Sequence, residues 1–204
     1  MNPTLALVLL VLLVLGLGAL VAVLLWKTAR GYRSLVTWAD VASALGLRHE
    51  PPELKTALDP GSMSGRRKGR EVRIRAEERT RRTARTRATV ELREPLGLGL
   101  GLASSPELRP EGWDDSSQFV SGHPYLDKTL RPRASDPEGA RRMFERKALR
   151  DRVVELASRP GELGIDDREI TFVAPELVAG KDQLAELLDE MLRLAELLEE
   201  SRTG

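Results

Sequence analysis

The 204-residue sequence contains no cysteine. That excludes disulfides, thiol nucleophiles, thiolate metal sites and a lipid anchor on cysteine, and it fits a reducing compartment. Histidine is nearly absent too, with only His49 and His123. Neither belongs to an HExxH-type metal pattern, and no G-x-S-x-G nucleophile elbow occurs. Ser121-Gly122-His123 matches only part of one, and His123 before Pro124 reads as a turn residue. Asp114-Asp115 and Asp166-Asp167 lack calcium-loop spacing and read as turns. No nucleophile, base and orienting group converge in sequence, so the expectation is a protein that is not an enzyme and has no catalytic, cofactor-binding or metal residues. An enzyme reading would need a site of an unrecognised kind.

Charge is missing from one region altogether: the first 26 residues hold no Asp, Glu, Lys or Arg. Thr4 to Trp26 is almost entirely Leu, Val, Ala and Gly. As a helix it is about 35 Å long, enough to cross a hydrocarbon core of about 30 Å. A cleaved signal peptide needs a positive start, a shorter apolar stretch and a small-residue cleavage site, and this segment has none of them. The reading is therefore an uncleaved anchor over residues 1–33, with its span at about 4–26. Lys27, Arg30 and Arg33 follow the span directly. Positive flanks stay on the cytoplasmic side, so the expected placement is the bacterial inner membrane, single-pass, N terminus outside and the remainder in the cytoplasm. The opposite orientation, with the domain exported, is the alternative.

All 32 basic and 31 acidic residues lie after Trp26, and residues 34–204 behind the anchor suffice for one domain. Among the basic residues 26 are Arg and six are Lys, a skew that reads as GC-rich bacterial coding. Ser34–Leu47 has helical apolar spacing with Gly46 as its stop. From Ser62 the period changes to two. Val72, Ile74 and Ala76 oppose Glu71, Arg73, Arg75 and Glu77; Ala84, Thr86, Ala88, Val90 and Leu92 oppose Arg85, Arg87, Thr89 and Glu91. This predicts an antiparallel meander with one wet face, connected at Lys68-Gly69 and Glu78–Arg82. Leu96–Leu102 (LGLGLGL) continues the alternation and reads as a further strand. Its G-x-G-x-G lacks the third glycine position and the helix start of a dinucleotide site. Residues 104–123 read as loop and Pro124–Leu130 as a short helix. Asp136 is the N-cap and Pro137 the first residue of a longer helix that breaks near Glu145 and runs to Ser158. Glu162–Val173 reads as a hairpin turning at Asp166-Asp167-Arg168, and Lys181–Ser201 as an amphipathic helix. The fold class is α+β.

Two surfaces stand out. Between Arg66 and Arg93 there are 12 basic and four acidic residues, a local charge of +8. On a sheet face Arg73, Arg75, Arg85 and Arg87 would form an anion-binding patch suited to anionic lipid headgroups. The stretch has no aromatic residue on which a base could stack, which argues against nucleic acid. The bland reading is a solvated face of cross-strand Arg–Glu pairs. A third is that the C-terminal helix, charge −4 over residues 181–202, lies against the basic sheet. On that helix Leu184, Leu188, Met191, Ala195 and Leu198 keep coiled-coil spacing and form a candidate face for a partner protein or a second copy, with packing onto the sheet as the competing use.

Trp38-Ala39 through Gly46-Leu47, Gly65–Gly69 into Val72-Arg73-Ile74, Gly122 through Tyr125-Leu126-Asp127, Ala134–Pro137 and Leu163–Phe172 together resemble a class of uncharacterised bacterial single-pass, membrane-anchored proteins with a small α+β domain. The resemblance implies the architecture and no activity. The functional expectation is a membrane-tethered, non-catalytic binding or scaffolding module. Its partners would be the bilayer through residues 4–26 and a protein partner or homodimer, with anionic lipid binding as the alternative.

Overall fold

A computed structural model of the protein describes residues 18, 21, 38–52, 59–80, 83–110 and 117–202. It shows an α+β fold built on a seven-stranded sheet, antiparallel throughout. The expected span at 4–26 and its flank of Lys27, Arg30 and Arg33 lie outside the described residues, except Gly18 and Val21, which are helical and exposed. Among the described residues no helix is long and apolar enough to cross a membrane.

Helix α1, described over residues 38–45, ends at Gly46 and leads into β1 (Arg48–Glu50). Strands β2 (Ser62–Arg67), β3 (Arg70–Thr80) and β4 (Thr83–Glu91) form the meander. The β2–β3 turn places both Lys68 (φ 48°) and Gly69 (φ 78°) in the left-handed region. This is the turn whose twist matches a two-residue hairpin, and glycine takes that backbone without steric cost. Strand β3 runs to Thr80, through what the sequence suggests is a connection, with a register irregularity between Glu78 and Thr80. The hairpin of β6 (Glu162–Asp166) and β7 (Glu169–Ala174) joins the meander by pairing β7 with β4. Strand β5 (Gly101–Ala103) then closes the far edge on β6, giving the order β1-β2-β3-β4-β7-β6-β5.

The strand expected over Leu96–Leu102 is a correction: only Gly101–Ala103 is strand. Gly97 and Gly99 have φ of 73° and 59°, so the chain coils there instead of extending. The amides of Gly99 and Leu100 donate to the Asp167 carboxylate at 2.8 and 2.7 Å. A Cβ on Gly99 would lie 2.2 Å from the Ser135 hydroxyl. The alternation of Leu and Gly therefore marks a loop held by a distant acid.

Helices α2 (Pro124–Thr129), α3 (Pro137–Glu145), α4 (Lys147–Ala157) and α5 (Lys181–Arg202) supply the second layer. Asp136 caps α3, its carboxylate accepting the Gly139 amide at 2.9 Å, and Pro137 follows at the first position. The break between α3 and α4 falls at Arg146. There the Arg150 guanidinium donates to the Phe144 and Glu145 carbonyls, which have no helical partner. The core lies between this layer and one face of the sheet, with Trp38, Met63, Ile74, Val90, Leu163 and Phe172 packed with Phe144, Leu149, Val153 and the buried side of α5. Leu184, Leu188, Met191, Ala195 and Leu198 are all within it, each fully buried. The apolar stripe of the candidate partner-helix face is covered by the chain's own sheet and helices, the competing use that its spacing allows.

Candidate functional site

Register decides the fate of each arginine. Side chains alternate along a strand, so paired residues share a face. Met63, Val72, Ile74, Ala88 and Val90 share the core face, and the residues between them share the other. Across β2, β3, β4 and β7 that open face carries Arg66, Arg73, Arg75, Arg85 and Arg87 with Glu71, Glu77, Glu91 and Glu169, five guanidiniums to four carboxylates, and β1 adds Arg48 and Glu50. The expected patch residues Arg73, Arg75, Arg85 and Arg87 are therefore brought together, but each already has an acid.

Glu77 is the hub. Arg75 approaches it at 3.0 Å, Arg85 at 3.2 Å and Arg87 at 2.5 Å. Arg85 also reaches Glu107 at 2.7 Å, in the 3-10 turn Pro106–Leu108. Arg73 pairs with Glu71 at 3.3 Å and with Glu91 across the ladder. Burial pushes the Glu77 carboxyl upward, but the hydrogen bond and charge of Arg87 and the charge of Arg75 outweigh it and hold the group below the usual carboxylate range. Arg73 and Arg85 are raised, first by their hydrogen bonds to Glu71 and Glu107. Glu169 differs: burial, then the like charges of Asp166 and Glu91, raise its carboxyl, against a hydrogen bond from Thr171.

Arg67, Lys68 and Arg70 turn the other way, toward α5. Arg70 lies on the core face in step with Val72 and Ile74, and is 2% exposed. Its Nε and Nη2 donate to the two carboxylate oxygens of Glu199 at 3.1 and 2.8 Å. Arg67 pairs with Asp189 at 3.4 Å and Lys68 with Glu196 at 3.5 Å. The acidic helix α5 thus neutralises the inner arginines. The period-two pattern carried the signal for Arg70, since position 70 falls on the apolar phase; the acid that meets it lies 129 residues on.

The other chemically interesting residues remain apart. His49 Nε2 lies 2.8 Å from the Pro60 carbonyl oxygen. The His123 amide donates to Ser121 Oγ and the Ser121 amide to Asp127, which are turn contacts. Asp166 accepts the amides of Arg168 and Glu169 and so builds the β6–β7 turn. Asp114 and Asp115 lie outside the described residues. Among the described residues no group of three or more His, Cys, Asp or Glu is placed to hold a metal ion.

Comparison with known proteins adds little. No family model matches the chain, and no curated protein matches it. Among solved structures the chain is similar to the mycobacterial trehalose monomycolate transport factor A, TtfA, at 16% identity and a TM-score of 0.47, covering 84% of this chain and 93% of that one. At that TM-score the likeness carries no argument about fold or activity.

Proposed function

We propose that the chain is a membrane-tethered, non-catalytic binding module that presents the open face of its sheet to a protein partner. The tether is the uncharged segment 4–26, with Lys27, Arg30 and Arg33 holding the domain on the cytoplasmic side of a bacterial inner membrane. The observation that supports a protein partner is the Arg–Glu array centred on Glu77. An ordered, nearly charge-balanced face suits a partner of alternating charge, where complementarity sets specificity and register.

The test is site-specific photocrosslinking in intact membranes. Probes at Ser64 and Thr89 on the open face should capture one protein, and a probe at the exposed Arg193 of α5 should not. Equal capture at all three positions, or none on the open face, overturns the proposal. A reporter fused after Gly204 should be active only in the cytoplasm.

The alternative is headgroup binding through Arg73, Arg75, Arg85 and Arg87, supported by their common face. Under that reading, binding of the full chain to anionic vesicles exceeds binding to neutral ones and falls with salt. Replacing the four arginines with Gln removes the difference.

A further inference from the structure

A groove of about 610 Å³ lies on the opposite side of the molecule, between α3, the α3–α4 break and the last turn of α5. Leu98 and Met143 form its floor, and Arg142, Arg146 and Arg202 stand around it. Two acids also line it, Asp136 and Glu145. Asp136 is occupied as the cap of α3. Arg202 is occupied as well, paired with Glu94 and donating to the Pro95 carbonyl at 2.8 Å. Arg146 spends only Nη1, on the Glu200 carbonyl at 2.9 Å. Arg142 makes no hydrogen bond or ion pair with any described residue.

This differs from the open face, where every arginine of the predicted patch already has a carboxylate. Here, among the described residues, one guanidinium has no partner and a second has one, beside the apolar Leu98 and Met143. The volume falls in the range of small-molecule sites, about 300–1,000 Å³, and such sites combine an apolar lining with a few converging polar groups. Arginine offers a planar fork that matches carboxylate and phosphate oxygens in pairs.

We propose that this groove binds a small anionic ligand with an apolar body, its carboxylate or phosphate group held by Arg142 and Arg146 and its apolar part resting on Leu98 and Met143. The free guanidinium of Arg142 identifies the anionic end. The buried Met143, whose thioether adapts to irregular shapes, sets the other end. The site does not depend on what the open face of the sheet binds.

The test uses the full chain in nanodiscs and fluorine NMR line broadening of three probes: 4-fluorophenylacetate, 4-fluorophenyl phosphate and the neutral 4-fluorobenzyl alcohol. Nanodiscs without protein give the background. At least one anionic probe should broaden with the protein present while the alcohol does not, and which one broadens tells carboxylate from phosphate. Arg142→Gln should weaken binding about tenfold and the Arg142→Gln, Arg146→Gln pair should abolish it. Both side chains are exposed, so these variants should keep the wild-type melting temperature. Arg73→Gln with Arg75→Gln, on the open face, should bind as the wild type does. Inorganic phosphate should compete only weakly. No broadening by either anion, equal broadening by the alcohol, full binding by the double variant, or competition by inorganic phosphate as strong as by the aryl probes would each overturn the proposal.

Discussion

The pair formed by Arg70 and Glu199 makes the sharpest stability prediction. Arg70 is buried on the core face of β3, and Glu199 reaches it from the last turns of α5 with two charge-assisted hydrogen bonds. Glu199 Oε1 also accepts the Arg93 amide at 2.8 Å. One carboxylate therefore satisfies a buried cation and a backbone donor at once. In Glu199→Ala the guanidinium would keep only Glu196 at 3.7 Å and the Lys68 carbonyl at 3.4 Å. Breaking a buried pair from one side costs about 3–5 kcal/mol. Glu199 is partly reached by solvent, so the lower end applies, about 3 kcal/mol. For a chain of this size that corresponds to a melting temperature lower by about 6–12 °C.

The informative measurement is a double-mutant cycle with Arg70→Leu. Removing both charges leaves no buried orphan, so the double variant should be more stable than the sum of the two losses implies, with a coupling of about 2 kcal/mol. Denaturant unfolding of the full chain in mild detergent, followed by far-UV circular dichroism, gives the midpoints; the slope should not change. A loss below about 1 kcal/mol in Glu199→Ala, or strict additivity, would show that Arg70 swings to solvent and that the pair does not hold α5 to the sheet.

Three further changes test other parts of the fold and the open face. Glu77→Gln deprives Arg75, Arg85 and Arg87 of their shared acid, costs about 1 kcal/mol in thermal unfolding, and increases adsorption to anionic vesicles over the wild type. Because the folded Glu77 carboxyl titrates below its unfolded value, its stabilisation is complete above the ordinary carboxylate range and is lost as pH falls toward the folded value; acid titration of Glu77→Gln should lack that increment. Glu169 has the opposite sign. Its folded carboxyl holds its proton to higher pH, so the charge costs stability once pH rises through that window, and Glu169→Gln should melt slightly above the wild type at neutral pH and level with it in acid. Gly99→Ala introduces a Cβ 2.2 Å from Ser135 Oγ at a positive φ and should lower stability by about 1–3 kcal/mol, measured by the same unfolding experiment.

Most elements of the described fold are legible in the sequence because each rests on a local signal. The meander follows from alternation at positions 71–77 and 83–92, α3 from Asp136-Pro137, and α5 from its apolar stripe. What escapes is what depends on a distant residue. The Leu96–Leu102 run has the period of a strand, but the Asp167 carboxylate folds it into a loop, and 67 residues separate that carboxylate from Leu100. The helix seam of Leu184 to Leu198 fits a partner or a core equally well by spacing alone. Burial resolves it: the sheet supplies the apolar surface that a second copy would otherwise provide. The groove beside Arg142 has no sequence signature, since Leu98, Met143 and Arg202 come from three separate elements.

The fate of the +8 stretch follows from one number, the strand period of two. Odd positions from 71 to 91 send Arg73, Arg75, Arg85 and Arg87 to the open face, where Glu71, Glu77 and Glu91 lie on the same face by the same rule. Arg70, on the even phase, goes beneath α5 with Arg67, where a helix of charge −4 awaits. Local charge counted along the chain is thus divided between two surfaces and offset separately on each. A polyanion approaching the open face would have to compete with Glu77 for three arginines at once, with Glu77 itself repelling it. A protein face of alternating charge meets no such barrier, because each new pair can form as an old one opens. The cost of exchange is the reason the proposed partner is a protein surface and not a phosphate array, and Glu77 is the residue whose removal should reverse that preference.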